Sequence, residues 1–477
     1  MADSPTPDDI IPSTINYLPA KVNTKELRSI LTKAEEEKKW VIQLVVGTKP
    51  DFYKQFSLMY WAKKLDIPLI LLTTGQHYNY PLNCGLKEFS MSPTVDFQIR
   101  GNLIQKATEL FYKMGHLAKW YKHIAPKTTI LPIPHGDTIS AAITATAWFL
   151  SVRQGVGQNE AGLRSMSPNN IYDLKPPFTQ DFCENFIHRQ WEDQWFVIRD
   201  EPYPEQWDTF VCGAGSSYFF APHNINVTHL KREGYSSDRI VQVGNSVVDA
   251  IQLHKKPDKS IFDLYPRLDD FDNWIRVDIH RRGNLGRQRF TTLFNTISKL
   301  LKEGIPILWI EMNAAREALQ YYGLEEKISG WTEKYKHFLF TPLWKNYGNV
   351  IEFWKSRKCL MEFTDSGSIQ EELNELPDTL CCTMRFSTDR PESIFDAHSN
   401  ILIPPYSEDF MTNILKFIIN SDSIQKSMKS AKKIYGTDVG KHIIQYLKKE
   451  MTSEATPFRW THQTLFKLPK EDDFEYL

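Results

Sequence analysis

Apolar residues along the chain alternate between two spacings. Short uninterrupted runs (WVIQLVV, PLILLTT and TTILPI) are separated by longer stretches in which apolar positions recur every three or four residues (DFYKQFSLMYWAKKL, NLIQKATELFYKMGHLAKWYKH and TISAAITATAWFLSV). The first spacing predicts buried strands and the second amphipathic helices. YFFAP and RIVQV extend the series, with a helix between them over 224–232. A second series starts near Trp274, where WIRVDI, IPILWI, HFLFT, KCLMEF, TLCCTM and NILIP read as strands with helices between most of them. SEDFMTNILKFIIN, IQKSMKSAKKIYG and GKHIIQYLKKEM are predicted helices, followed by a polar tail.

Strands that are apolar at every position, rather than every second one, belong to parallel sheets covered on both faces. The expected fold is therefore α/β, with two doubly wound Rossmann-like domains facing a central cleft. The first spans 1–253 and the second 254–450; the tail 451–477 is expected to pack back on the first. The polar, proline-containing segment 254–273 crosses between the sheets. One stretch, 166–208, is rich in Trp, Phe, Pro and charge and has no clear period, which predicts a lid, a flap or an interface.

Composition narrows the function classes. Of 477 residues 41% are hydrophobic, enough for large cores, and 57 basic against 58 acidic side chains give a net charge of -1. Such balance argues against a nucleic-acid or polybasic membrane surface, and no apolar run approaches the ~18 residues of a membrane span. The N-terminus MADSPTPDDIIPSTINYLP has neither a basic start nor an apolar core, so a cytoplasmic protein is expected. Cys84, Cys183, Cys212, Cys359, Cys381 and Cys382 show no C-x-x-C spacing, so neither a zinc site nor a redox dithiol is indicated.

Polar residues gather just after the predicted strands: Gly47-Thr48-Lys49-Pro50, Gly75-Gln76-His77, His135-Gly136-Asp137-Thr138, Gln158 to Ser165, His280-Arg281-Arg282 and Asp365-Ser366-Gly367-Ser368. Any one of these is what a turn or a helix cap requires. Together, in both halves, they would converge on one cleft. Ser366, Gly367 and Ser368 open the helix IQEELNEL, where backbone N–H groups and the helix dipole favour an anion. The plainer reading is an N-cap with Glu371 and Glu372 improving the first turn. Asp137, Glu160 and Glu205 offer carboxylates for proton transfer.

In this order the motifs GTKPD at Gly47, QH at Gln76, HGDT at His135, EAGLRS at Glu160, PYPEQ at Pro202, VGNSVVD at Val243, HRRGN at His280, DSGSIQEE at Asp365 and TDRPE at Thr388 resemble the non-hydrolysing UDP-N-acetylglucosamine 2-epimerases. The resemblance covers residues 40–395. It implies a GT-B-like fold and an isomerase that interconverts UDP-GlcNAc and UDP-ManNAc. UDP leaves by anti-elimination to 2-acetamidoglucal and adds back after the proton returns on the other face. It implies Asp137, Glu160, Glu205 and His280 as catalytic residues, with Asp137 and Glu160 first for proton transfer. Lys49, Lys54, His280, Ser366, Gly367, Ser368, Glu372 and Arg390 would bind the UDP-sugar, Glu372 through the ribose. Neither a metal nor another cofactor is implied, and family precedent suggests a homodimer serving polysaccharide or glycoprotein glycan synthesis.

The chain departs from the pattern at Lys49 (for Arg), Asp51 (for Glu), Gln206 (for Glu), Gly283 (for Glu) and Ser368 (for Gly). YNYPLN after His77 does not follow the pattern that helps form the family's allosteric substrate site, so activation by substrate is not expected. The longer segment before Pro202 is expected to remodel the active-site mouth or a subunit interface. Three alternatives stay open: a hydrolysing epimerase releasing ManNAc and UDP, a glycosyltransferase of the same two-domain architecture, and an inactive UDP-sugar-binding homologue.

Overall fold

The computed structural model describes residues 17–76 and 85–452. His77, Cys84 and the expected tail from 453 on lie outside the described residues. The first half is built on β1 (Lys21–Val22), β2 (Val41–Val46), β3 (Leu69–Thr73), β4 (Val95–Asp96) and β5 (Ile130–Ile133), in spatial order β1-β4-β3-β2-β5 and parallel except for β1. There follow β6 (Val156–Asn159), an antiparallel pair of β7 (Met166–Pro168) and β8 (Trp195–Val197), and then β9 (Ser216–Ala221) and β10 (Ile240–Gln242). The parallel sheet β10-β9-β6 continues the first, because a bridge from His135 to Asn159 joins the end of β5 to β6. The second half is a fully parallel sheet of β11 (Trp274–Asp278), β12 (Ile307–Glu311), β13 (Phe338–Pro342), β14 (Cys359–Thr364), β15 (Leu380–Thr383) and β16 (Asn400–Leu402), ordered β13-β12-β11-β14-β15-β16.

Burial on both faces explains the uninterrupted apolar runs. Along β2, Ile42, Leu44 and Val46 enter one core while Val41 and Val45 enter another on the opposite face. In the second half Ile275, Val277, Trp309 and Phe363 face one core, and Trp274, Leu308, Ile310 and Cys381 the other. At each such strand both side-chain sets leave water, so neither alternate position can be polar without a partner.

The differences from the sequence reading are local. β1, β4, β7 and β8 are two or three residues long, too short to form a run, and β6 (VGQN) is polar yet buried. The segment IQKSMKSAKKIYG is helical only over Asp422–Lys429. The helix Val439–Thr452 follows the second half in sequence but packs on the first: Val439, Ile443, Ile444 and Leu447 join its core. The Asp249 carboxylate accepts the N–H groups of Val439 (3.1 Å) and Gly440 (2.7 Å), fixing that helix's start.

The stretch 166–208 holds a helix, Gln180–Glu192, capped by Thr179. Phe178, Cys183, Phe186, Ile187 and Trp191 belong to the core of the second half. Gln190 donates through Nε2 to the Leu402 carbonyl (2.9 Å) and accepts the Leu402 N–H (2.8 Å), so its amide occupies the open edge of β16. Most of this segment is therefore structural packing on the second half. Only its last part, with Tyr203 and Glu205, reaches the cleft. No helix among the described residues is long and apolar enough to cross a membrane.

Candidate active site

The ends of the first-half strands supply a chain of acids around one histidine. After β2, Asp51 caps its own helix: Oδ2 accepts the N–H groups of Gly47 (2.9 Å) and Thr48 (2.8 Å). Its Oδ1 lies 3.0 Å from Nδ1 of His135, whose Nε2 is 3.5 Å from Glu160 Oε2. Glu160 takes a positive φ of 62°, a conformation costly for a residue with a side chain and common at sites where geometry matters more than strain. Gly136 faces it, and a Cβ there would stand 3.1 Å from Glu160 Oε2.

Glu160 is then tied across the cleft. Lys54, 1% exposed, pairs with Glu160 and with Glu371 Oε2 at 2.6 Å. Asn245 donates to Glu160 Oε1 (2.6 Å) and to Glu371 Oε1 (2.7 Å). Arg390 reaches Glu371 (3.0 Å), Glu160 (3.2 Å) and Asp137 (3.5 Å), and is also bound by Asp389. Burial would raise Glu160, but Lys54, Arg390 and His135 outweigh it and hold the carboxyl well below its usual range. Burial, with Glu160 nearby, leaves Glu371 raised despite Arg390 and Lys54. The two carboxyls titrate as a pair, with Glu371 the more readily protonated of the two.

The second half presents cations and a helix start. Asp365, at the end of β14, accepts the backbone N–H groups of His280 (3.1 Å) and Arg281 (3.0 Å) and the Asn284 amide (3.1 Å). His280 Nδ1 lies 3.0 Å from Asp365 Oδ1 and 3.6 Å from Asp278 Oδ1. Burial would lower the imidazole, but Asp365 and Asp278 outweigh it and raise it to about 9. His280 is therefore an imidazolium at neutral pH. Asp278, His280 and Asp365 also bring three ligand-type atoms within 4.8 Å of one another. Their lone pairs are committed, however, with Asp365 serving three N–H donors and Asp278 Oδ1 taking the Thr364 hydroxyl (2.5 Å). The donor set suits a held imidazolium better than a metal ion.

The helix Ser368–Glu375 starts from Gly367 with no side-chain cap. A Cβ at Gly367 would stand 2.9 Å from Arg390 Nη1 and 3.4 Å from Arg281 Nη2, so glycine lets two guanidinium groups approach the helix start. The Ser368 hydroxyl donates to Glu372 (2.9 Å). Lys49 lies over the Tyr53 ring, 5.9 Å from its centre.

Between these walls lies a cleft of about 330 Å³, lined among others by Thr48, Asp137, Glu205, Asp208, His280 and Arg281. Glu205 is paired with Arg281 across it. Of the residues expected from sequence, Asp137, Glu205 and His280 line the cleft. Lys54, Glu160 and Arg390 form the buried network linked to it through Asp137, and Ser366, Gly367, Ser368 and Glu372 open the helix on the second half. The sequence reading set Asp137 and Glu160 first as proton-transfer groups. Glu160 is 3% exposed and engaged by Lys54, Asn245, His135 and Arg390, whereas Asp137 and Glu205 are 16% and 21% exposed and face the cavity. Glu371, Asn245, Asp389 and Asp208 were missed as site residues. Glu371, Asn245 and Asp389 stand inside the quoted motifs, but nothing in a motif says which acid of DSGSIQEE turns inward.

The sequence profile of the UDP-N-acetylglucosamine 2-epimerase family matches residues 199–448. The UDP-N-acetylglucosamine 2-epimerase of Bacillus subtilis is 25% identical over 423 residues, 86% of this chain and 95% of that protein. The fold is that of the Methanocaldococcus jannaschii UDP-GlcNAc 2-epimerase solved with UDP-GlcNAc and UDP (TM-score 0.68, 20% identity, 86% of this chain and 99% of that one). It is equally that of the Neisseria meningitidis enzyme bound to UDP-GlcNAc (TM-score 0.68, 21% identity, 86% and 100%). With a profile match over more than half its length, in a GT-B-like α/β frame of parallel sheets, the chain belongs to the UDP-N-acetylglucosamine 2-epimerase family.

Proposed function

We propose that the protein epimerises UDP-GlcNAc at C2 without hydrolysis, by anti-elimination of UDP to 2-acetamidoglucal and re-addition to give UDP-ManNAc. The observation that carries this reading is the opposition of two walls across one cleft: Asp137 and Glu205 on the first half, and His280 and Arg281 on the second, with Arg281 reaching back to the Gly367 start of the helix Ser368–Glu375. A C2 proton is not acidic, so the departing diphosphate must carry much of the barrier. The His280 imidazolium and the first-turn N–H groups act there, where charge develops as C1–O breaks.

Asp137 and Glu205, the carboxylates that face the cavity, flank C2 of the sugar, and one of them takes its proton. Lys54, Asn245 and Arg390 keep Glu160 ionised and hold Glu371 aligned beside it, and Arg390 carries that alignment to Asp137. Lys49, Lys54, Ser366, Gly367, Ser368, Glu372 and Arg390 hold the UDP-sugar, Glu372 at the ribose. The segments 1–253 and 254–450 act as the two jaws, in a homodimer.

The test is isotope scrambling. UDP-GlcNAc carrying heavy oxygen in the C1–O–P bridge should redistribute it to the non-bridging β-phosphate positions, since UDP is freed and rotates before re-addition. Retention of the label in the bridge throughout epimerisation would exclude C–O cleavage. Free ManNAc with UDP would instead assign the hydrolysing reaction.

A further inference from the structure

The helix Glu205–Ala214 turns two acids toward the cleft, three residues apart and so on one face. Glu205 is tied to Arg281. Asp208 is 1% exposed, it lines the same cavity as Asp137 and His280, and its Oδ1 is buried with no hydrogen-bond partner. A buried carboxylate ordinarily gathers N–H donors or a cation. Among the described residues no arginine, lysine or histidine pairs with Asp208.

The charged and titratable groups around it explain why. On its own helix stand Glu205 and the buried Cys212 thiol. Asp137 faces it from the turn after β5, and His280, Arg281 and Arg282 from the turn after β11. Arg281 is spent on Glu205, Arg390 lies on Asp137, and His280 on Asp365. Burial, then the charges of Asp137 and Glu205, push the Asp208 carboxyl up to about 9.

We infer that Asp208 stands in the cleft as a neutral carboxylic acid and is the catalytic donor that returns a proton to C2 of the sugar. The inference rests on the epimerase reading above and narrows it: Asp137 or Glu205 removes the C2 proton and Asp208 supplies the one that replaces it. In the return step the C1=C2 π pair of the glycal takes the Asp208 proton at C2. The cationic C1 then accepts a lone pair from the β-phosphate oxygen of UDP, forming C1–O. Asp208 is left as a carboxylate, and the carboxylate that took the first proton still holds it. Exchange of both groups with solvent restores the starting state, so one proton is taken and one given per turnover. A donor that is neutral at working pH and loses its proton only under the demand of the reaction is what such a step requires.

Asp208→Asn keeps the shape and neutrality of the protonated acid but carries no transferable proton, so a merely structural role would survive it. Two measurements decide. In infrared difference spectra the wild type should show a protonated-carboxyl stretch at neutral pH that is lost near pH 9 and is missing from Asp208→Asn. In turnover, Asp208→Asn should lose at least about 100-fold in kcat while binding UDP as the wild type does, and Asp208→Glu should recover part of the loss. A variant within about threefold of wild-type kcat, or a wild type that epimerises without the infrared band, overturns the donor role alone. A wild type that shows the band but does not epimerise overturns the proposed function and the donor role with it.

Discussion

His280 shows how one residue can serve both folding and chemistry. Asp365 holds its backbone and its ring together, and with Asp278 raises the imidazole to about 9. A raised pKa means that the folded state holds the proton more tightly than the unfolded one. The associated stability is present below the ordinary value of 6.5 and is lost as pH rises through about 9. The same charge faces the expected diphosphate. UDP affinity is predicted to fall roughly tenfold as the pH passes about 9, and His280→Gln to flatten that dependence, as measured by calorimetric titration across the range. Lys54 is a different case, buried between Glu160 and Glu371. Lys54→Met leaves two buried carboxylates without their shared cation and should cost about 3–5 kcal/mol of stability in denaturant unfolding. A loss below about 1 kcal/mol, typical of an exposed pair, would contradict that reading of the network.

At the scale of elements, the helix Gln180–Glu192 completes the second-half core. Phe186 packs on Phe410 with ring centres 5.1 Å apart, and Trp191 stacks on His398 at 4.9 Å. Phe186→Ala should destabilise the second half by about 3–5 kcal/mol while leaving kcat near wild type at permissive temperature, because the helix does not touch the cleft. Activity loss without destabilisation would place the helix at the active-site mouth after all. This element also marks the limit of the sequence reading. The long parallel strands were legible because burial on both faces makes them apolar throughout, and their alternation with helices pointed to parallel pairing, though not to the order of strands in each sheet. The helix in 166–208 was not, because its apolar face (Cys183, Phe186, Ile187 and Trp191) is interleaved with Gln190 and flanked by aromatic residues that blur any period. The cleft acids Asp137 and Glu205 were legible from motifs. Asp208 and Glu371 were not, since their importance comes from burial and from partners far along the chain.

At the scale of the whole molecule, Glu371 of the second half is bound by Lys54 and Asn245 of the first, and Arg390 returns from the second half to Glu160 and Asp137. The two halves are thus locked by charged groups behind the cleft, a contact that a change of partner charge would loosen. Glu371→Ala is predicted to enlarge the radius of gyration in small-angle scattering and to raise KM for UDP-GlcNAc, with UDP restoring part of the compact form. Scattering identical to wild type would mean that packing, such as the helix Val439–Thr452 on the first half, fixes the jaws without the network.

The most direct measurement of the central claim is proton NMR of the purified protein with UDP-GlcNAc in D2O. The account predicts UDP-ManNAc appearing with deuterium at C2, together with deuterium entering the remaining UDP-GlcNAc, because the proton that returns comes from a group in exchange with solvent. UDP-ManNAc that retains the original hydrogen at C2, or UDP-GlcNAc that binds but never changes, would contradict it.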